Sequence, residues 1–161
     1  AAVNRLATGR RGLTVVHLSG PDSAGQRYGF SSARYETALK NLDGRISRLM
    51  AAVGRNKATA GRTRVILTGT HGGSGRSHTD PSVEGNFKVP FVVTGPEVPA
   101  GVSLYSLNPD LASPGDQRVG YGATRQPFRN VYTSALVTEA LDLPDVPGTT
   151  LSRGRTITAV R

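Results

Sequence analysis

Residues 64–80, RVILTGTHGGSGRSHTD, join an apolar run to a glycine-rich loop that carries two of the three histidines in the chain. The run 65–68 (VILT) is aliphatic and β-branched, which predicts a buried strand. Gly69 ends the run, and His71 and His78 follow in the loop. Ligands of open α/β sheets bind at the carboxyl ends of the strands, so we expect a functional site in this loop.

A strand and a helix are predicted on the N-terminal side of this stretch. Residues 13–18 (LTVVHL) are almost continuously apolar, which indicates a strand covered on both faces, and residues 22–29 follow as a loop. Apolar residues then recur at three- and four-residue spacing over 35–53, which predicts an amphipathic helix capped by Ser31 or Ser32.

The order strand, helix, strand predicts a βαβ unit with parallel strands and a right-handed crossover. Parallel strands deliver their carboxyl ends to the same edge of a sheet. We therefore expect Asp22 and Gln26, which follow the first strand, to lie near His71 and His78.

The C-terminal half is predicted to add a third strand, a second helix and a short final strand. The third strand lies within 87–96, and Pro90, which has no backbone N–H for a sheet, indicates either an edge strand or a strand that starts at Phe91. The second helix covers 130–143, and the final strand covers 156–160. With an N-terminal arm over residues 1–12, these elements predict a single α/β domain over 13–161 whose sheet is parallel-rich and flanked by helices.

The composition excludes several classes of function. The chain has no cysteine, so disulfides, thiolate metal sites and cysteine nucleophiles are excluded. No apolar run approaches the ~20 residues of a membrane-spanning helix. The net charge is +9, but the basic residues are scattered without interleaved aromatic residues. This pattern favours a solvated or partner-facing basic surface and argues against a nucleic-acid groove.

A divalent metal site is the chemistry that the predicted loops favour. Carboxylate oxygen together with imidazole nitrogen suits zinc, and also manganese or iron, so the candidate ligands are Asp22, His71 and His78. The alternative is that Asp22 caps a turn and both histidines bond the backbone. His17 lies within a predicted strand. This favours a histidine of the core, or one that contacts a metal ligand without binding the metal itself.

The loops also bear on anion binding and nucleophilic catalysis. The loop 72–75 could hold an anion, with Arg76 as its candidate basic residue, but it lacks the lysine and hydroxyl residue of a P-loop, so a nucleotide-binding P-loop is excluded. The loop serines have no evident base beside them, and a serine hydrolase is therefore unsupported.

Four stretches together suggest a family: 16–29, 67–73, 77–96 and 126–144. In order and spacing they resemble the C-terminal half of the phosphodiesterase/nucleotide pyrophosphatase branch of the alkaline phosphatase superfamily. The resemblance implies a partial alkaline phosphatase-like fold from a two-metal hydrolase.

The resemblance also assigns ligand positions. Asp22 matches the aspartate of an Asp-x-x-Gly-His loop, His71 the histidine of an Asp-His pair, and His78 a later histidine ligand. Gln26 stands where the family has histidine, and Thr70 where it has aspartate. The region that would carry the family's nucleophile is absent, so no catalytic residue is assigned in this chain. These departures imply reduced or lost affinity for zinc or another divalent cation.

Three functions follow as expectations. The first is a degenerate, non-catalytic member of the superfamily that acts as a structural or binding subunit. The second is a metal-dependent phosphodiesterase or phosphatase half, completed by a separate N-terminal chain that carries the nucleophile. The third is a basic module that binds anions or nucleic acid. Metal content separates the first two, and a steep salt dependence of nucleic-acid binding would support the third.

The resemblance also implies partners and a location. Because the family's first strand belongs to the missing half, an apolar sheet edge would be exposed, and we expect another protein chain, either the N-terminal half or an assembly subunit, to cover it. A phosphate-containing compound is the expected ligand. An extracytoplasmic or secreted location is implied by the family.

Overall fold

A computed structural model describes Val3 and residues 12–149 of the chain. The chain divides into two compact units. We call Ala1–Thr63 with His71–Lys88 the helical unit, and Arg64–Thr70 with Val89–Arg161 the sheet unit. The single domain proposed for residues 13–161 stays a prediction. The final strand and, apart from Val3 and Gly12, the N-terminal arm lie outside the described residues.

The helical unit contains helix α1 (Gly20–Tyr28), helix α2 (Ala33–Arg55) and the short helix α3 (Glu84–Phe87). The sequence prediction of α2 is confirmed, and Ser32 is its N-cap: the Ser32 hydroxyl accepts a hydrogen bond from the backbone N–H of Tyr35 at 3.2 Å.

The loop predicted over 22–29 is wrong, because α1 occupies residues 22–28 of this segment. A proline in the first turn and Asp22 beside the unpaired N–H groups both favour helix initiation there.

The strand predicted over 13–18 is also wrong. The structure has no helix or strand over these residues. Apolar side chains there are exposed to solvent: Leu13 is 53% and Val15 is 82% exposed. A strand is stabilised by hydrogen bonds to a neighbour, and no strand of the described residues pairs with this segment. The predicted βαβ unit therefore does not form, and His17 is exposed instead of lying in a core.

The sheet unit contains strands β1 (Val65–Thr68) and β2 (Phe91–Thr94). Both were predicted, and β2 begins directly after Pro90, where the missing N–H no longer interrupts the pairing. The strands are antiparallel, with Val65 opposite Thr94 and Thr68 opposite Phe91. The fold is thus of the mixed α/β class, but the prediction of a parallel-rich sheet is wrong, since the sheet of residues 12–149 consists of this one antiparallel pair.

The core of the sheet unit forms around helix α5 (Tyr132–Ala140), which follows the short helix α4 (Leu104–Leu107). Leu111, Tyr132 and Leu136 are its buried residues, and the ring of Phe128 lies 5.2 Å from that of Tyr132. The second predicted helix is confirmed, with ends two to three residues inside the predicted ones. None of the helices among the described residues combines the length and apolar composition needed to cross a membrane.

Candidate metal centre

The candidate site lies in the helical unit, where α1 carries Asp22 and the loop that follows β1 in sequence carries His71 and His78. Helix α1 and the loop approach each other through one aromatic ring, that of Phe30. A Cβ atom on Gly25 of α1 would lie 2.4 Å from this ring, and one on Gly73 of the loop 2.5 Å. Only glycine at both positions permits this approach, so Gly25 and Gly73 serve close packing against Phe30.

The loop itself is held by backbone contacts. Gly72 donates its N–H to the carbonyl oxygen of Asn86 at 2.9 Å. A Cβ atom on Gly72 would lie only 2.0 Å from the carbonyl oxygen of Gly85, which fixes the backbone next to His71.

A two-residue turn at Gly75 and Arg76 brings His78 back toward His71. Ser74 and Ser77 exchange backbone hydrogen bonds of 2.9 and 3.0 Å on either side of it. Gly75 has φ of +58°, a conformation that favours glycine, and its carbonyl oxygen accepts the N–H of Phe30 at 2.7 Å. The segment is a tight hairpin. Arg76 is exposed at its tip, beside an open depression that also borders Tyr28, and its role in anion binding stays a prediction.

The three predicted ligands are brought together. The Asp22 Oδ1 atom lies 3.8 Å from His71 Nε2 and 3.8 Å from His78 Nδ1. One ligand atom from each of the three residues falls within 4.8 Å of the others, and the two imidazole rings stack with centroids 3.8 Å apart. Among residues 12–149, this is the one group of three histidine or acidic side chains arranged in this way.

The polar atoms at the centre of this group lack hydrogen-bond partners. Asp22 Oδ1 and His78 Nδ1 are both buried with no partner atom. His71 Nδ1 lies 2.7 Å from the carbonyl oxygen of Gly72, which assigns its proton to Nδ1 and leaves a lone pair on Nε2 toward Asp22. One carboxylate oxygen and two imidazole nitrogens within 4.8 Å of one another are ligand types that suit a divalent cation.

Gln26 and Thr70, the two positions that the sequence analysis predicted to be departures from the family's ligands, have different surroundings. Gln26 lies one turn after Asp22 on α1, and its Nε2 donates a 2.8 Å hydrogen bond to Asp22 Oδ2. Thr70 is exposed and belongs to the sheet unit, where its carbonyl oxygen accepts a 3.3 Å hydrogen bond from Asn130. Gln26 thus contacts a predicted ligand without being one, and Thr70 offers a hydroxyl in place of a carboxylate.

Asp80 stabilises the end of the loop that follows His78. Its Oδ1 accepts hydrogen bonds from the hydroxyl of Ser82 at 2.6 Å and from the Ser82 backbone N–H at 2.8 Å. These bonds, the hydroxyl first, hold the pKa of the Asp80 carboxyl below its usual value of 3.8, because they favour the charged form.

The sequence reasoning missed the part played by Phe30. An aromatic residue in a turn, one position after Gly29, carries no pattern that distinguishes it from an ordinary partly buried side chain. The contacts with Gly25 and Gly73 join segments almost fifty residues apart, which no local spacing reveals.

The comparison with protein families gave one result. The family described as type I phosphodiesterase / nucleotide pyrophosphatase matches residues 1–110, which is more than half of the chain. This confirms the resemblance, although the fourth stretch that suggested it, 126–144, lies beyond the matched span. Neither the curated proteins nor the solved structures gave a match.

Proposed function

Because this chain belongs to the type I phosphodiesterase / nucleotide pyrophosphatase family, we propose that it binds one divalent metal ion through Asp22, His71 and His78 and acts on phosphoric esters. The family is typically metal-dependent, and the cluster gives this chain a place to hold a metal. Zinc is the proposed ion, because a set of two imidazoles and one carboxylate suits it.

The observation that carries the proposal is the convergence of Asp22 Oδ1, His71 Nε2 and His78 Nδ1. Two of these atoms are buried without a partner. A buried polar group left unpaired costs about 1–3 kcal/mol, and a cation placed among the three atoms would remove that cost.

The number of ligands agrees with a reactive site. Asp22, His71 and His78 would supply three protein ligands, the number typical of catalytic zinc, whereas structural zinc has four. When bound, such an ion polarises a phosphoryl oxygen and lowers the pKa of water. Asp22 supplies one negative charge and the neutral imidazoles none, so the loaded site would keep a net positive charge that attracts a phosphate ester.

Metal titration of the purified protein tests this assignment. We expect one equivalent of Zn²⁺ to bind in isothermal calorimetry, and His71→Ala and His78→Ala to abolish binding. His17→Ala is the matched control, because His17 is an exposed histidine outside the cluster, and it should bind as the wild type does. Absence of binding to the wild type, or equal loss in all three variants, would overturn the proposal.

Activity is measured on the same samples with a nitrophenyl phosphodiester. We expect hydrolysis that requires added Zn²⁺, is removed by a chelator, and is lost in His71→Ala. Hydrolysis that is equal with and without metal would contradict a metal-dependent site.

A second candidate function is a non-catalytic one, in which the chain binds a metal or a phosphate ester as a subunit of a larger assembly. The observation that favours it is the hydrogen bond from Gln26 to Asp22, at a position where the resemblance implies a histidine ligand. Thr70 likewise has a hydroxyl where the resemblance implies an aspartate. This candidate predicts stoichiometric zinc, no hydrolysis, and a second chain in the native mass.

A further inference from the structure

We propose that Gln26 is a positioning residue that holds Asp22 as a ligand through one oxygen only. The inference rests on the proposed function, since it concerns how this chain presents its own carboxylate to the metal. It assigns a role to a residue that does not itself ligate.

The two oxygen atoms of Asp22 have different surroundings. Oδ2 accepts the 2.8 Å hydrogen bond from Gln26 Nε2. Oδ1 accepts no hydrogen bond, is buried, and lies 3.8 Å from a ring nitrogen of His71 and of His78. A bond to one oxygen sets the rotation of the carboxylate, and that rotation decides which oxygen faces the imidazoles.

The helix explains why Gln26 can reach Asp22. Residues four apart lie one above the other on the same face of an α-helix, and both residues lie within α1. Glutamine can donate from its amide but is a poor metal ligand, so this position orients the carboxylate without adding a fourth protein ligand.

The same hydrogen bond could serve only to support α1. Gln26 is exposed, however, and side-chain pairs of this spacing on an exposed helix surface contribute little to folding in water. A purely structural role would change the melting temperature of the metal-free protein, whereas a positioning role changes metal affinity and leaves that melting temperature unchanged.

The test compares Gln26→Met with the wild type, because methionine keeps the length of the side chain and removes the N–H donor. We expect the dissociation constant for Zn²⁺ to rise about tenfold, the lower end of the range for groups that support metal ligands. The melting temperature of the metal-free protein should not change. Gln117→Met, at an exposed glutamine of the sheet unit, is the matched control and should leave both quantities unchanged.

Each outcome decides the inference. Equal zinc affinity in the wild type and in Gln26→Met would overturn it and leave the proposed function standing. A drop of several degrees in the melting temperature of metal-free Gln26→Met would assign Gln26 a structural role, which also overturns it. No zinc binding by the wild type would remove the proposed function and this inference together.

Discussion

The helical unit and the sheet unit both bury polar atoms that have no hydrogen-bond partner, but the surroundings of these atoms differ. In the helical unit the unpaired atoms include Asp22 Oδ1 and His78 Nδ1, which face each other and a third ligand atom. Among the described residues of the sheet unit they are the hydroxyls of Tyr132 and Thr133, and Tyr132 lies in an apolar core with Leu111 and Leu136.

These different surroundings decide whether an unpaired buried polar atom is evidence for a bound ligand. A single hydroxyl in an apolar core has no second donor or acceptor with which to share a cation, so it only lowers the stability of the fold. Three ligand atoms within 4.8 Å of one another can share one ion as a common partner. Substitutions in the two units test this contrast directly.

The largest effect is expected at the core of the sheet unit. Tyr132 is fully buried, and Tyr132→Ala should lower the free energy of unfolding by about 3–5 kcal/mol, because it removes a packed aromatic ring and leaves a cavity. Tyr132→Phe should be neutral or stabilising, because it removes only the unpaired hydroxyl. Denaturant unfolding measures both. A large loss of stability in Tyr132→Phe would mean that the hydroxyl has a partner, and would break the contrast between the units.

The next effect is expected at Gly72 in the helical unit. Gly72→Ala should lower the free energy of unfolding of this unit by about 1–3 kcal/mol. We expect a value near the upper end of this range, because the added Cβ would clash with the backbone carbonyl of Gly85, which cannot move aside as a side chain can. The substitution should also weaken zinc binding, since the displaced backbone is adjacent to His71.

Gly44→Ala is the control for the glycine change. No atom lies within 4 Å of the position its Cβ would take, and Gly44 is within α2, so alanine should stabilise the helix by about 0.5–1 kcal/mol. Equal melting temperatures for the two variants would show that the close approach of Gly72 to Gly85 does not constrain the loop.

Zinc should stabilise the helical unit by an amount set by its affinity. At a free concentration one hundred times the dissociation constant, a ligand of the folded state adds about 2.7 kcal/mol. We expect zinc to raise the melting temperature of the wild type and not that of Asp22→Asn, which loses the negative charge of the cluster. A rise of equal size in Asp22→Asn would place zinc elsewhere on the chain.

The smallest effect is expected at Asp80, as a dependence of stability on pH. Its folded-state pKa is lowered, so the carboxylate stabilises the fold above its unfolded value of 3.8, and this contribution is lost as the pH falls through the lower folded value. The difference in melting temperature between the wild type and Asp80→Asn should therefore be present at neutral pH and shrink below pH 3.8. A difference that is constant across this range would exclude the charge as its source.

Local patterns predicted several elements well. The run 65–68 forms β1, the strand beginning at Phe91 forms β2, and Ser32 caps α2, because β-branched content, a proline boundary and a hydroxyl at the helix start act over a few residues. The same reasoning was wrong at 13–18, where an equally apolar run remains exposed. Apolar composition permits a strand, but only a paired neighbour makes one.

At the candidate site, too, local patterns predicted one part correctly and another part wrongly. The residue types of Asp22, His71 and His78 indicated a divalent cation, and the family resemblance was confirmed over residues 1–110. The route by which they meet was predicted wrongly, since they converge through a helix and a tight turn and not at the shared edge of parallel strands.

The sequence by itself determined the chemistry of the candidate ligands, the absence of thiol chemistry, and the elements whose causes are local. The tertiary structure decided that β1 and β2 pair antiparallel, that Phe30 lies between Gly25 and Gly73, and that Asp22 presents one oxygen to two imidazoles. These features depend on contacts between residues that are far apart in the chain. Packing and the positions of backbone atoms set the geometry of these contacts, and the local spacing of residues encodes neither of them.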